Sequence, residues 1–338
     1  FAVFFTATVI SAMGAGYYTV LAFMAPITLL LCKRTGMSLI TGGMAVNYGA
    51  LSGANFVSSQ SGIIFRGLMV NAGVSENDAF INAAAIFVST LVIPLLVLSV
   101  LVFLTGHGKA MKATAYVATV PTPLNREQKI TLGLTLTMMV IVLAAPIAHI
   151  TFPDNATVSF INSKMDIGLI ASLFSVIALL LKLGDERKVL ASVPWATLIM
   201  ICGVGMLISV AIKAGTIDLL ASWMGSSIPP IMVPIVFGIV AACMSLFSST
   251  LGVVTPALFP MVPPIAAALG IDPMVLFVAI VVGAQATSIS PFSSGGSLIL
   301  GSCPTEQSRS SLFPQLLFRA APVGFIAALI FNAAFTFA

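Results

Sequence analysis

The sequence predicts an all-α, polytopic membrane protein built as inverted repeats, each with a re-entrant hairpin and a broken transmembrane helix. Three observations carry that prediction. Of 338 residues, 59% are hydrophobic and 7% are charged, whereas a soluble domain carries about a quarter charged residues because its surface faces water. The basic residues gather on one side under a single crossing order. The chain also matches itself, without a gap, at an offset of 234 residues that pairs Pro26 with Pro260 and Gly62 with Gly296.

The apolar stretches have membrane length. Ile81–Leu104, Ile130–Ile150, Ile167–Leu183 and Trp195–Ile212 approach or reach the ~20 residues a helix needs to cross ~30 Å of hydrocarbon. Backbone in lipid must satisfy its own hydrogen bonds, which leaves helices or a closed barrel. Long runs without period-2 alternation decide for helices. The chain opens at Phe1 inside an apolar stretch, without the basic leader and cleavage site of a signal peptide. It is therefore expected to start inside a longer protein, with roughly a hundred residues, about three helices, preceding it if the repeat is complete. Cys32, Cys202, Cys243 and Cys303 are scattered and form no CxxC, which suits small apolar packing better than a disulfide or a metal site. The net charge of +4 sits in loops between spans and is no signal for nucleic acid.

The elements follow in order. A hairpin over 1–31 opens to the cytoplasm and is followed by Lys33-Arg34. A broken helix over 38–72 leads out, and a helix over 79–104 returns; together these form the first repeat, 1–104. A cytoplasmic linker spans 105–129. The second repeat, 130–338, runs out through 130–150, back through 166–182 to a cytoplasmic loop at 183–194, and out through 195–212. A hairpin over 229–268 enters and leaves on the outer side, a broken helix over 273–301 passes inward, and a helix over 311–336 exits. This order places Lys33, Arg34, Lys109, Lys112, Arg126, Lys129, Lys182, Arg187, Lys188, Arg309 and Arg319 on one side, eleven of the fourteen Lys and Arg. Lys164 and Lys213 fall on the other, with Glu76, Asp78, Asp154, Asp166, Asp218 and Asp272. The basic side is the cytoplasmic one by the positive-inside rule, which predicts a multi-pass protein of the inner (plasma) membrane.

At the offset of 234, Gly36 also meets Gly270, Gly49-Ala50 meets Gly283-Ala284, Ser59 meets Ser293 and Gly67 meets Gly301. Alanine and valine matches are cheap in this composition; several glycine pairs and a proline pair in one register are not. One hairpin opens inward and the other outward, so the repeats are inverted, which with interrupted helices is the signature of secondary transporters.

Polar residues interrupt the apolar pattern at four places: Gly14-Ala15-Gly16, Ser52 through Gly62, Ser248-Ser249-Thr250, and Thr287 through Gly296. Pro291 removes an N–H from its helix, and glycines weaken helix around it. Unwound backbone at membrane depth survives only where protein buries it or where it lines a watery cavity. There it offers carbonyls to a cation, while half-helix N-termini and hydroxyls offer donors to an anion. Serine and glycine are also ordinary packing residues between transmembrane helices. Arg66 lies within a span; it either meets a substrate carboxylate or snorkels outward near Glu76 and Asp78. His107 and His149 sit at loops or span ends. Tyr17 and Tyr18, which follow the first tip, wall a cavity or pack on a neighbouring helix.

Phe247-Ser248-Ser249-Thr250, Pro256 through Pro260 and Ala268 through Pro273 resemble the second hairpin of the divalent anion/sodium symporter family. Ser290 through Gly301 is similar to its later broken helix, and Trp195–Asp218 to the helix before the hairpin. The resemblance is nearest to the malonate/C4-dicarboxylate carrier branch. It implies substrate contacts at Ser248, Ser249, Thr250, Thr287, Ser288, Ser293 and Ser294, with Ser52, Asn55 and Ser59 in the first half. It implies sodium at Gly14, Gly16 and Asn47 on one side and at Ser248, Thr250, Thr287 and Gly296 on the other. The first tip carries no hydroxyl and the first break no proline, so two equivalent sodium sites are not implied. A homodimer is implied.

The function expected is secondary transport of a small dicarboxylate anion, malonate- or succinate-like, coupled to sodium and working by alternating access in the lipid bilayer. Anion exchange stays open, as does a sodium/proton or arsenite-type carrier. An enzyme would need a buried nucleophile with a base, or a metal cluster. A channel would not explain inverted hairpins. No cofactor is expected beyond sodium ions.

Overall fold

The computed structural model describes residues 1–105, 123–152, 155–164, 167–192 and 228–337, with isolated positions between 195 and 223. His107, Lys109, Lys112, Asp154, Asp166, Asp218 and most of the helix expected over 195–212 lie outside the described residues. Every regular element among the described residues is helical, and no strand occurs there.

Helix α1 (Ala2–Ile10) runs through a π turn (Ser11–Ala15) into α2 (Tyr17–Thr35). The first broken helix is α3 (Leu39–Ala54) and α4 (Gln60–Asn71), followed by α5 (Glu76–Thr105). Then come α6 (Arg126–Thr151), α7 (Ala156–Lys164), α8 (Ile167–Leu180) and α9 (Glu186–Ser192). The second hairpin pairs α10 (Val233–Ser245) with α11 (Thr250–Leu269). The second broken helix is α12 (Pro273–Thr287) and α13 (Ser294–Gly301), and α14 (Glu306–Thr336) ends the described chain. Helices α1–α5 and α10–α14 belong to one compact unit, and α6–α9 to a second.

Among the described residues, four helices are long and apolar enough to cross a membrane: Glu76–Phe103, Arg126–His149, Thr250–Leu269 and Glu306–Thr336. Their outward faces carry large apolar side chains such as Phe103, Val140 and Phe318, as lipid contact requires. The protein is a multi-pass membrane protein. Helix α11, expected as one arm of a re-entrant hairpin, has the length to cross, but it is interrupted by a π turn at Thr250–Val254 and a 3₁₀ turn at Phe259–Met261.

Helix ends depart from the hydropathic boundaries wherever a polar cap lies outside the apolar run. Helix α6 starts at Arg126 because Asn125 and Gln128 form a reciprocal capping box, with bonds of 3.0 and 2.7 Å. Helix α5 starts at Glu76 because the Ser75 hydroxyl accepts from Asp78 N at 3.1 Å. Thr305 starts α14 in the same way through Ser308 N at 3.2 Å. Helix α7 lies where a loop was expected, capped by Asn155 accepting from Thr157 N and Val158 N. The short α9 occupies the loop expected at 183–194.

Two apolar cores organise the larger unit. One is built from α10, α11 and α12, with Phe65 of α4 packed on Phe259 at 5.6 Å between ring centroids and Phe259 on Phe277 at 4.8 Å. The other is built from α1, α2 and α3 with Ile299 and Leu300 of α13. Each broken helix thus gives its second half to the opposite hairpin's core, which draws both breaks to the seam between the cores. Close helix contact sets the first halves: a Cβ at Gly49 would meet the carbonyl oxygen of Phe4, and one at Gly283 that of Gly238.

Candidate functional site

The two breaks share three backbone hydrogen bonds. In the first, Phe56 N donates to Gly53 O at 3.1 Å, Ser59 N to Phe56 O at 2.7 Å and Ile63 N to Ser59 O at 2.9 Å. In the second, Ser290 N donates to Thr287 O at 2.9 Å, Ser293 N to Ser290 O at 2.9 Å and Ser297 N to Ser293 O at 3.1 Å. Each bond of the second set lies 234 residues after its counterpart. The tips differ. The first turns through Gly14 and Gly16 at φ +99 and +76, a region glycine enters without steric cost. The second turns through Ser248 and Ser249, and the Ser249 hydroxyl caps α11 by accepting from Gly252 N at 3.1 Å.

Buried hydrogen bonds tie tips to breaks. Tyr17 Oη donates to Asn47 Oδ1 at 2.7 Å, and Asn47 Nδ2 reaches Ser288 Oγ at 3.5 Å. Tyr18 Oη and Ser249 Oγ lie 2.9 Å apart, joining the two hairpins directly. Ser59 Oγ donates to Ser11 O at 2.7 Å, and Thr287 Oγ1 to Ala242 O at 2.7 Å. Ser52 Oγ lies 2.6 Å from both the Tyr48 and Thr90 carbonyls, which share its single proton. Asn55 and Gln285 exchange two amide hydrogen bonds, at 2.9 and 3.0 Å. Ser293 Oγ donates to Ser288 O and Ser290 O while accepting from Gly296 N.

A cleft opens between these parts, with about 400 Å³ of empty space including its mouth. Of the residues expected to meet substrate, Ser248, Ser249, Thr250, Ser288, Ser293 and Ser294 line it. Ser52, Asn55, Ser59 and Thr287 do not; they are buried behind it and hold backbone and amides in place. Of the residues expected to hold sodium, Gly14, Gly16, Asn47, Thr287 and Gly296 are also absent from the lining, whereas Ser248 and Thr250 belong to it. Ser11 and Ser58 carry buried hydroxyls without a hydrogen-bond partner among the described residues, and oxygen donors of this kind suit a sodium ion.

No charged side chain occurs among the described lining residues. Partial positive charge is available there from the backbone at helix N-termini. Tyr17 opens α2, Ser61 is the second residue of α4, Thr250 opens α11 and Ser294 opens α13, and all four line the cleft. Four helix N-termini therefore meet at the cleft, each bringing the positive end of its dipole, worth about 0.3–1 kcal/mol apiece to an anion and more when partly buried. Gly252 N of α11 and Gly296 N of α13 are already capped by the Ser249 and Ser293 hydroxyls. Hydroxyls and helix dipoles of this kind are chemically suited to a carboxylate.

The sequence leaves Tyr17 and Tyr18 undecided, places Ser61 in the first break without a role and gives no sign of Gln285, all of which line the cleft. The tyrosines bring to the first tip the hydroxyls that Gly14-Ala15-Gly16 lacks. Tyr18→Phe, which keeps the ring and removes the bridge to Ser249, is expected to weaken apparent substrate affinity several-fold, in line with about 1 kcal/mol for one hydrogen bond. Uptake titrated against substrate at matched protein amounts checks this. Arg66 does not line the cleft: its guanidinium lies 5.3 Å from the Phe80 ring centroid, and its Nε and Nη1 have no hydrogen-bond partner among the described residues. His149 Nδ1 lies 3.3 Å from Ser159 Oγ, in the unit formed by α6–α9.

Among known proteins, the sequence profile of a family described as CitMHS, citrate transporter, matches residues 1–334. No curated protein matches the chain.

Proposed function

Because the chain belongs to the CitMHS citrate transporter family, we propose that it is a secondary carrier moving citrate, or a di- or tricarboxylate like it, through the cleft between its hairpin tips and helix breaks. The convergence of four helix N-termini on an uncharged, hydroxyl-lined cleft supports this reading best. The family makes citrate the first substrate to test; malonate and succinate, favoured by the resemblance of the second hairpin, come next.

A multiply charged anion in a cleft without a basic side chain needs a cation beside it, since an uncompensated charge away from water is costly. Sodium is the proposed partner, with the partnerless hydroxyls of Ser11 and Ser58 as donors behind the first tip. In this reading 1–104 and 130–338 are inverted halves with the 105–129 and 183–194 loops cytoplasmic, two chains pair as a homodimer, and alternating access swings the tips past the breaks. A sodium/proton or arsenite-type carrier fits less well, because the described lining holds no carboxylate to titrate.

Proteoliposome uptake of labelled citrate, succinate and malonate, with and without sodium or proton gradients, tests the proposal. Concentrative citrate uptake driven by inward sodium is expected. Uptake only into vesicles preloaded with an anion would replace symport by exchange. Absence of uptake of every carboxylate under every gradient and preload would overturn the proposal.

A further inference from the structure

Gln285, a residue of α12 that is 5% exposed, lines the cleft and lies one helical turn before the second break. Its amide is not free to turn. Thr90 Oγ1 has one proton and donates it to Ile86 O at 2.7 Å, so toward Asn55 the hydroxyl is an acceptor. That requires the Asn55 amide to face Thr90 with nitrogen, and Asn55 Nδ2 donates to Thr90 Oγ1 at 2.9 Å. The second Nδ2 hydrogen goes to Gln285 Oε1 at 2.9 Å, and Asn55 Oδ1 accepts from Gln285 Nε2 at 3.0 Å. A flipped Gln285 would set amide nitrogen against amide nitrogen. One Nε2 hydrogen is then left without an acceptor among the described hydrogen bonds, on a side chain that lines the cleft.

We infer that Gln285 is a specificity-determining substrate residue: it offers a carboxylate oxygen an N–H donor whose orientation is set by the chain Ile86–Thr90–Asn55 and not by the substrate. The inference rests on the cleft being the substrate site. It gives the site a physical means of preferring an acceptor over a donor at that position, because a substrate hydroxyl or ammonium presented there would meet a hydrogen. Asn55, from the first break, thereby positions a ligand beside the second.

The test is binding of labelled citrate to the purified full chain at pH 5.5 and 7.5, each variant referred to the wild type at the same pH. Gln285→Met, of similar length but without N–H, is expected to raise Kd about tenfold or more at both pH values, as losing a hydrogen bond to a charged group does. Gln285→Glu is expected to raise it at least as much at pH 7.5 and less at pH 5.5, where a protonated carboxyl regains a donor. Thr90→Val, outside the cleft lining, is expected to raise Kd several-fold by releasing Asn55. A purely structural role for the pair would lower thermal stability without the pH-dependent recovery in Gln285→Glu. Wild-type Kd in Gln285→Met overturns the inference; if the glutamine variants do not purify, wild-type Kd in Thr90→Val does so. The double variant Ser249→Ala, Thr250→Ala is measured alongside. If it weakens binding while the Gln285 and Thr90 variants do not, this inference fails and the cleft stands; if none weakens binding, the cleft reading fails as well.

Discussion

Alanine at Gly62 or Gly296 is expected to abolish transport and to lower the melting temperature of the detergent-solubilised protein. A Cβ at Gly62 would meet the carbonyl oxygen of Phe56, and at Gly296 those of Ile289 and Ser290. The Phe56 and Ser290 carbonyls accept hydrogen bonds that shape the breaks, from Ser59 N in the first and from Ser293 N and Ser293 Oγ in the second. Overpacking typically costs about 1–3 kcal/mol when side chains can yield, and here the obstacle is backbone. Gly67 and Gly301 provide the control, since nothing lies within 4 Å of a Cβ at either. Alanine there is expected to keep wild-type uptake and to gain slightly in stability from better helix propensity. Wild-type melting and uptake in Gly62→Ala and Gly296→Ala would show that the tight breaks do not matter.

The double substitution Ser249→Ala, Thr250→Ala is expected to weaken apparent citrate affinity a hundredfold or more. In the proposed site each hydroxyl is a donor to a charged carboxylate, worth about 1.5–3 kcal/mol apiece. The Ser249 hydroxyl also caps α11 and meets Tyr18, and Thr250 Oγ1 pairs with Ser245 Oγ at 3.1 Å. Uptake measured across citrate concentrations, beside a melting curve, separates loss of binding from loss of fold. Unchanged affinity in a stable double variant would remove the second tip from the site.

Much of the fold was legible because apolar length reports on membrane helices almost directly, as at 79–104 and 311–336, observed at Glu76–Thr105 and Glu306–Thr336. The errors at the ends share a cause. Caps such as Ser75, Asn125 and Thr305 are polar and lie outside the apolar run, so hydropathy places the helix start three to five residues late. Helix α7 was invisible for the same reason: Ala156–Lys164 is too short and too polar to register, and Asn155 holds it.

The candidate site was legible at the level of segments and less so at the level of residues. Serines and glycines marked both breaks and the second tip, but not which hydroxyls face the cleft. Ser52, Ser59 and Thr287 spend theirs on distant carbonyls, contacts between elements far apart in sequence. Gln285 escaped because a lone glutamine in the apolar run Leu276–Ala286 reads as a packing residue until Asn55 is seen opposite it, 230 positions away. The substrate class lies deeper still. Neutral donors and helix ends recognise a carboxylate without counting how many the molecule carries, so the segments pointed to a dicarboxylate where the family match points to citrate.

A structure of the protein determined in saturating citrate tests the central claim most directly. The predicted result is one citrate in the cleft, its carboxylates within hydrogen-bond distance of Tyr18, Ser249, Gln285 and the N-terminus of α13 at Ser294. Ordered citrate bound elsewhere, with no anion between the tips and the breaks, would contradict it.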